Sequence, residues 1–384
     1  MPSPVSSRTA VVHDWLVTWR GGENVLSEVL GLIPDADLYS LVDFLPPGLR
    51  HRIGERRART SFIQNVPFAS TRFRWLLPAF PAAIERLDLR AYDRIVSISH
   101  AVAKNVRVLP GQAHLSYCLT PMRYAWDLRE DYLASVGARR GPRRWVAERL
   151  LDRLQAWDRR ASARVTAFAA ISQHVARRIE RAYGRSAQVI YPPVDVDFFA
   201  PAERPTRDYY LTGGQWVAYK RVDAIVEAFR SLGDRRLVVA GDGPEARKVR
   251  AAAGPNVAFA GEVPRERLRE LLQHARAFVF AAEEDFGILP VEAQACGTPV
   301  IALSRGGTAE TIVTAGDGAG GVSFVDQRPA TIADAVRRFE AREHTIDSAA
   351  CRRNALRCST QRFRAEFRDW LAVAGHPSPR LEVA

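Results

Sequence analysis

The chain has 384 residues but only four cysteines and two methionines. Cys118, Cys296, Cys351 and Cys358 are scattered, with no C-x-x-C pair and no metal-like spacing. This argues against a disulfide-stapled scaffold and a zinc finger, and points to a reduced, cytoplasmic setting. No apolar run approaches the length needed to span a bilayer. Met1–Ser7 passes directly into a strand-like run, Thr9–His13, so no leader peptide is expected. The G-x-G-x-x-G fingerprint of dinucleotide sites is missing, which argues against a standard NAD site. No internal repeat is evident beyond βα alternation in both halves.

Acidic residues are also in deficit. Fifty-five Lys and Arg face 43 Asp and Glu, a net charge of +12. Three partners compete to explain it: nucleic acid, an anionic membrane surface, and a polyphosphorylated small ligand. An arginine-favouring codon bias contributes as well. No helix-turn-helix, zinc-finger, RRM or KH pattern accompanies the charge, so no nucleic-acid partner is expected. A basic nucleic-acid-binding protein stays as the non-enzyme alternative.

What is present is a soluble composition, 47% hydrophobic and 26% charged, with length for two domains. Strand-like and helix-like runs alternate, which calls for parallel, doubly wound sheets. The Pro-rich stretch Tyr191–Pro205 marks a boundary. It separates a first domain, residues 1–195, from a second domain, 205–358. The terminal segment 361–384, with a helical pattern over Gln361–Val373, is expected to pack back on the first.

Ala277–Ala302 organises the second domain. An apolar strand, Ala277–Ala282, leads into an acidic loop, then a helix beginning at Pro290 and ending at Gly297. Glu284 lies on the loop and Glu292 would be the third helical residue, in the first turn. Leu289 is a poor cap, which leaves backbone N–H groups available to a ligand. Two ionised carboxylates at one strand end suit a ligand rich in hydroxyls, because they only accept hydrogen bonds. A solvated acidic turn and a favourable helix dipole explain the same residues without a ligand.

Three other stretches carry candidates. Gly21-Gly22-Glu23 places flexible backbone at a helix N-terminus, either a phosphate- or sugar-contacting turn or simply a turn. Ser61–Ala83 interleaves Phe62, Phe68, Phe73, Trp75 and Phe80 with Arg72 and Arg74; it rests on a membrane surface or covers the core. Ala138–Arg164 holds nine arginines, with Val146, Leu150, Leu154 and Trp157 at helical spacing. Its basic face is solvated or contacts anionic lipid.

Glu284, seven residues, then Glu292, with Phe286-Gly287 and Ala295-Cys296-Gly297-Thr298-Pro299-Val300 around them, closely resembles the E-x7-E signature of family-4 glycosyltransferases. Val189–Asp195 resembles that family's inter-domain signature, and Gly214–Lys220 its phosphate loop. Gly241-Asp242-Gly243-Pro244 and Gly306-Gly307-Thr308-Ala309-Glu310 match its later glycine motifs. The resemblance covers roughly Val11 to Val336. It implies a GT-B fold, two Rossmann-like doubly wound domains facing a cleft, and retaining transfer of a hexose from a nucleotide sugar. It implies that Lys220 and Glu284 are catalytic. Gly22, Gln215, Lys220, Arg221, Glu284, Phe286, Gly287, Ile288, Leu289 and Glu292 would bind the donor. Glu284 would meet the sugar, Glu292 the ribose and Lys220 the diphosphate.

The acceptor side falls to Gly21, His100, Arg123 and Tyr124. Neither a metal nor a cofactor is expected, because Lys220, Arg221 and backbone N–H groups would stabilise the departing diphosphate. The first half is most similar to bacterial mannosyltransferases of O-antigen and exopolysaccharide assembly. This implies GDP-mannose, a polyprenyl-diphosphate-linked saccharide acceptor and the inner face of the cytoplasmic membrane. A UDP-sugar donor and a GT-B-like nucleotide-sugar epimerase are the enzymatic alternatives. The sequence departs from the family pattern at Gln215, where an arginine is usual, and at Leu119, where related enzymes often have histidine.

Overall fold

The computed structural model describes residues 8–374 apart from 139, 315 and 317. Met1–Ser7, Arg139 and residues 375–384, which entered the readings of the leader, the basic helix and the terminal segment, lie outside the described residues. The chain divides into two units, one running up to Tyr191 and resuming at Phe363, the other Pro192–Arg362.

The first unit is a seven-stranded parallel sheet. Its strands are β1 Thr9–His13, β2 Asp37–Ser40, β3 Arg59–Thr60, β4 Arg94–Ser99, β5 Ala113–Cys118, β6 Ala167–Ala170 and β7 Ala187–Val189, in the order β3-β2-β1-β4-β5-β6-β7. Both faces are covered, and β1, β4 and β5 are buried almost throughout. Such strands read as continuous apolar runs rather than alternating ones. The helix Thr360–Ala374 closes this unit, setting Phe363 and Phe367 against the Tyr117 ring at 5.7 Å each.

The second unit is a six-stranded parallel sheet. Its strands are β8 Tyr209–Gly213, β9 Leu237–Ala240, β10 Val257–Gly261, β11 Ala275–Phe280, β12 Val300–Leu303 and β13 Gly321–Phe324, in the order β10-β9-β8-β11-β12-β13. In each sheet the strand order reverses between the first strand and the fourth. Open parallel sheets hold their ligands at that reversal, outside the carboxyl ends of the strands. The reversal falls between β1 and β4 in one unit and between β8 and β11 in the other.

Several sequence readings shift. The basic helix is Pro142–Ser162, and its buried stripe is Leu151, Leu154, Asp158 and Ala161. Val146 is 59% exposed, so it lies off the face that the spacing suggested. Polar Asp158 takes a core position because four donors meet it. Lys104 Nζ lies 2.9 Å from its carboxylate, Asn105 Nδ2 2.6 Å, and Trp126 Nε1 and the Tyr183 hydroxyl 2.8 Å each. Ser61–Ala83 folds as short helical pieces, the first two separated at Pro67. Phe73, Leu77 and Phe80 enter the core while Phe68 and Trp75 stay in solvent.

Lys104 and Asp158 are both fully buried, so removing one leaves the other charge uncompensated. Lys104→Met is expected to destabilise the first unit by about 3–5 kcal/mol. Urea denaturation of the full chain, followed by tryptophan fluorescence, measures it; an unchanged midpoint would refute this account of the buried pair.

Candidate functional site

At the reversal of the second sheet, the loop after β8 and the loop after β11 carry opposite charges. Lys220 Nζ stands 2.9 Å from Glu284 Oε1, with both side chains about four-fifths covered. Lys220 ends a short 3-10 turn, Ala218–Lys220. A Cβ on Gly214 would lie 3.2 Å from Lys220 Nζ and 3.9 Å from Leu289, so the phosphate-like loop, the lysine and the start of the next helix converge.

Close backbone packing fixes these loops. A Cβ on Gly241 would come within 2.0 Å of the Gly214 carbonyl oxygen, so the Gly241-Asp242-Gly243-Pro244 turn lies directly against the loop after β8. On the other side, Gly307 N–H donates to the Glu284 carbonyl at 2.7 Å. A Cβ there would sit 2.4 Å from Phe286 Cα. The two glycine motifs thus press the Lys220 and Glu284 loops into position.

The helix after Glu284 is Ile288–Ala295, capped by Gly287 at φ 86° with no side-chain cap. It begins two residues earlier than the sequence reading. Pro290 is therefore its third residue, tolerated because that N–H has no intrahelical partner in any case. Glu292 is the fifth residue rather than the third and lies one turn in, not among the terminal N–H groups. Burial pushes its carboxyl up to about 7; Arg265 opposes the rise and Asp195 adds to it. Arg352 holds the far end of this helix, donating to the carbonyls of Ala295, Val196 and Phe199 at 2.9, 2.5 and 2.7 Å. Phe286 is buried, while Ile288 and Leu289 are half-exposed at the helix start.

Gln215 is exposed and Trp216 behind it is buried. Arg221 adopts a left-handed backbone, φ 52°, and its Nε donates to Asp223 at 3.3 Å. Lys248 holds the other Asp223 oxygen at 2.8 Å. The Arg221 guanidinium is therefore engaged beside the helix Val222–Arg230.

The first unit assembles a second polar group at its own reversal. The helix read as starting at Glu23 starts at Gly21 and runs to Leu32. Arg20 is the cap residue, and Glu23 Oε2 accepts its backbone N–H at 2.8 Å. His13, at the end of β1, lies 3.6 Å from Glu23 Oε1. Asp14 Oδ2 lies 3.0 Å from His100 Nδ1. His100 is thus paired with a carboxylate at the end of β4. Asp14 also accepts four backbone N–H groups from His100 to Ala103, at 2.6–2.9 Å. Leu119 fills the neighbouring space, with its Cδ1 3.0 Å from where a Gly22 Cβ would lie. Arg123 and Tyr124 follow β5, and the Tyr124 hydroxyl is buried. Sequence reasoning passed over His13 and Asp14 and named Glu23 only as part of the glycine turn. The only signal was two polar residues closing an apolar strand.

Residues 194–357 match the family model described as glycosyl transferases group 1. The match spans nearly all of the second unit. That span contains Lys220, Glu284 and Glu292. Over 198 residues the chain is 33% identical to a GDP-mannose-dependent alpha-(1-6)-phosphatidylinositol dimannoside mannosyltransferase of Mycobacterium tuberculosis, covering 47% of this chain and 48% of that protein. It is 33% identical over 219 residues to a D-inositol 3-phosphate glycosyltransferase of Geodermatophilus obscurus, covering 49% and 48%. The chain thus spans about half the length of the curated relatives it matches. Among solved structures, Anabaena Alr3699/HepE in complex with UDP and glucose aligns with TM-score 0.66 at 16% identity, over 95% of this chain and 99% of that one. The fold is therefore GT-B, two parallel-sheet α/β domains.

In the second unit, Glu292 has a folded pKa above the ordinary carboxyl value of 4.5. The unfolded chain then ionises first, so stability falls as pH rises from about 4.5 to about 7 and levels off above. The loss reaches on the order of 2 kcal/mol, because solvent still touches the half-buried side chain. Glu292→Gln should flatten melting temperature against pH over that window. A slope identical to wild type would show that another group carries it.

Proposed function

We propose that the protein is a retaining glycosyltransferase that moves mannose from GDP-mannose onto a polyprenyl-diphosphate-linked saccharide in surface polysaccharide biosynthesis. The observation that carries the transfer reading is Lys220 held on Glu284 at the reversal of the second sheet, inside the matched group 1 domain. In the proposed reaction the bond from the sugar to the diphosphate breaks as the acceptor hydroxyl attacks the same face of the anomeric carbon. Lys220 and the N–H groups at Gly287–Leu289 meet the negative charge left on the diphosphate. No metal is invoked. Glu284 accepts hydrogen bonds from the sugar hydroxyls and Glu292 from the ribose diol. Gly22, Gln215 and Phe286 complete the proposed donor contacts, Arg221 being turned to Asp223, and Gly21, His100, Arg123 and Tyr124 the acceptor side.

Mannose is supported by the relative named as GDP-mannose-dependent. A UDP-sugar donor is the second reading, favoured by the neighbour solved with UDP and glucose. A metal-free thermal-shift panel of GDP-, UDP-, ADP- and dTDP-sugars separates them, with GDP-mannose expected to stabilise most. A clear shift with a UDP-sugar and none with any GDP-sugar would overturn the mannose assignment. Lys220→Ala is expected to lower the transfer rate about 10²–10³-fold, like loss of an oxyanion donor, and Glu284→Gln to lower it as well. Unchanged transfer in both variants would remove this site from the reaction.

The acceptor class implies work at an anionic membrane surface. No helix among the described residues is long and apolar enough to cross a membrane. Peripheral contact is supported by Phe68 and Trp75, 73% and 85% exposed, with Arg72 over the Phe68 ring at 5.6 Å. Exposed aromatics among arginines suit the headgroup boundary of anionic lipid. Phosphatidylglycerol vesicles should co-sediment the protein at low salt, and Phe68→Ser with Trp75→Ser should lower the bound fraction severalfold. Equal binding by the double variant would exclude this patch.

A further inference from the structure

The first unit carries two guanidiniums near its sheet reversal that no carboxylate answers. Arg20 ends the loop after β1, and Arg74 belongs to the Ser61–Ala83 segment. We propose that Arg20 and Arg74 form a subsite of the first unit for the diphosphate of a prenyl diphosphate, the charged link between lipid and saccharide in the acceptor. This rests on the acceptor class proposed above and gives that class its charge-reading residues.

Aromatic rings place Arg74. Its guanidinium carbon lies 4.8 Å from the Phe73 ring centre and 5.7 Å from that of Trp15. Phe73 is fully buried, and the Trp15 ring packs against it with centroids 5.4 Å apart. Trp15 also meets His100 edge-on at 4.5 Å. One indole therefore joins Arg74 to the residue just past β4, where the first sheet reverses. Rings hold a guanidinium by its face and leave its edge N–H groups open to an anion.

Among the described residues no carboxylate pairs with either side chain. Glu23 is near Arg20 in sequence, but it is buried, accepts the Arg20 backbone N–H at 2.8 Å and faces His13 at 3.6 Å. Asp14 is taken by His100 and the N–H groups that follow it. Elsewhere in this unit Arg50, Arg164 and Arg178 each hold an acid. Partial burial, and then the charge of Arg20, lower the Arg74 pKa, so the two cations stand close enough to repel. An anion with more than one charge relieves that repulsion. A diphosphate puts charge on two phosphoryl groups, each with oxygens for a guanidinium fork.

The neighbours of Arg74 favour a lipid-borne diphosphate. Trp75, the next residue, is 85% exposed, while Arg74 itself leans on Trp15 beside His100. Solvent-facing aromatic, guanidinium and polar sheet end follow one another within one unit. A prenyl diphosphate acceptor has the same order: apolar chain, diphosphate, sugar.

The test is equilibrium dialysis of the full chain against geranyl diphosphate and against inorganic pyrophosphate. Geranyl diphosphate should bind the wild type more tightly than pyrophosphate. Arg20→Gln with Arg74→Gln should weaken it at least about tenfold, the loss of charge-assisted hydrogen bonds, and lysine at both positions should recover part. The double glutamine variant should keep the thermal shift given by the nucleotide sugar. Lys220→Ala, which removes the charge proposed for the donor diphosphate, should leave geranyl diphosphate binding unchanged. No binding by the wild type, equal binding by the double glutamine variant, loss of binding in Lys220→Ala, or pyrophosphate bound as tightly would each overturn the subsite. So would a double variant that keeps geranyl diphosphate but releases phosphatidylglycerol vesicles, since the pair would then read the bilayer surface. If a nucleotide sugar stabilises a wild type that ignores geranyl diphosphate, the subsite alone falls. If no nucleotide sugar stabilises it, the glycosyltransferase reading falls and takes the acceptor role with it.

Discussion

The second unit depends on backbone lying directly against backbone. The turn at Gly241 touches the loop at Gly214, and Gly307 touches the loop at Phe286, at distances where no side chain fits. Close packing of this kind passes position from one loop to the next with little slack. Lys220 and Glu284 stand on the inner members of these two contacts. Their 2.9 Å approach therefore follows from glycines elsewhere in the sequence that carry no chemistry of their own.

The first unit solves the same positioning problem with a side chain. Asp14 gathers the four N–H groups of His100–Ala103, much as a cap residue gathers those of a helix. One buried carboxylate thereby ties the end of β1 to the end of β4 and orients the His100 ring. Glu23 does related work one turn away, accepting from Arg20 N–H while facing His13. Backbone contact preserves a shape, whereas a buried carboxylate also sets the charge of its neighbours. In the first unit that carboxylate therefore sets both the position and the charge of the group around it.

How much of this was legible in sequence follows from the range of each interaction. The β8–β13 alternation and the Glu284/Glu292 pair were readable because apolar runs, prolines and glycines act locally. The helix start at Ile288 was not, because Pro290 signals an N-terminus without saying which position of the first turn it occupies. The stripe on Pro142–Ser162 was misread because Asp158 looks like a surface residue until Lys104, Asn105, Trp126 and Tyr183 are brought to it. His13 and Asp14 looked like the polar end of a strand. Their partners at Glu23 and His100 are separated by up to 86 positions, which no local pattern reports.

The substitution at Gln215 makes Lys220 the central charge of the proposed donor site. Arg221 does not substitute by adjacency: its left-handed backbone turns the guanidinium to Asp223, which Lys248 also holds. Without a donor, Glu284 is the partner of Lys220. Solvent still reaches both ends of this pair, which screens it and offsets part of its Coulomb energy. A diphosphate offers the ammonium a denser negative charge and charge-assisted hydrogen bonds about twice as strong as neutral ones. For a donor of the proposed class, exchanging Glu284 for diphosphate is therefore downhill. The same exchange frees Glu284 to accept from sugar hydroxyls, so one weak ion pair keeps both residues ordered until the ligand separates their roles.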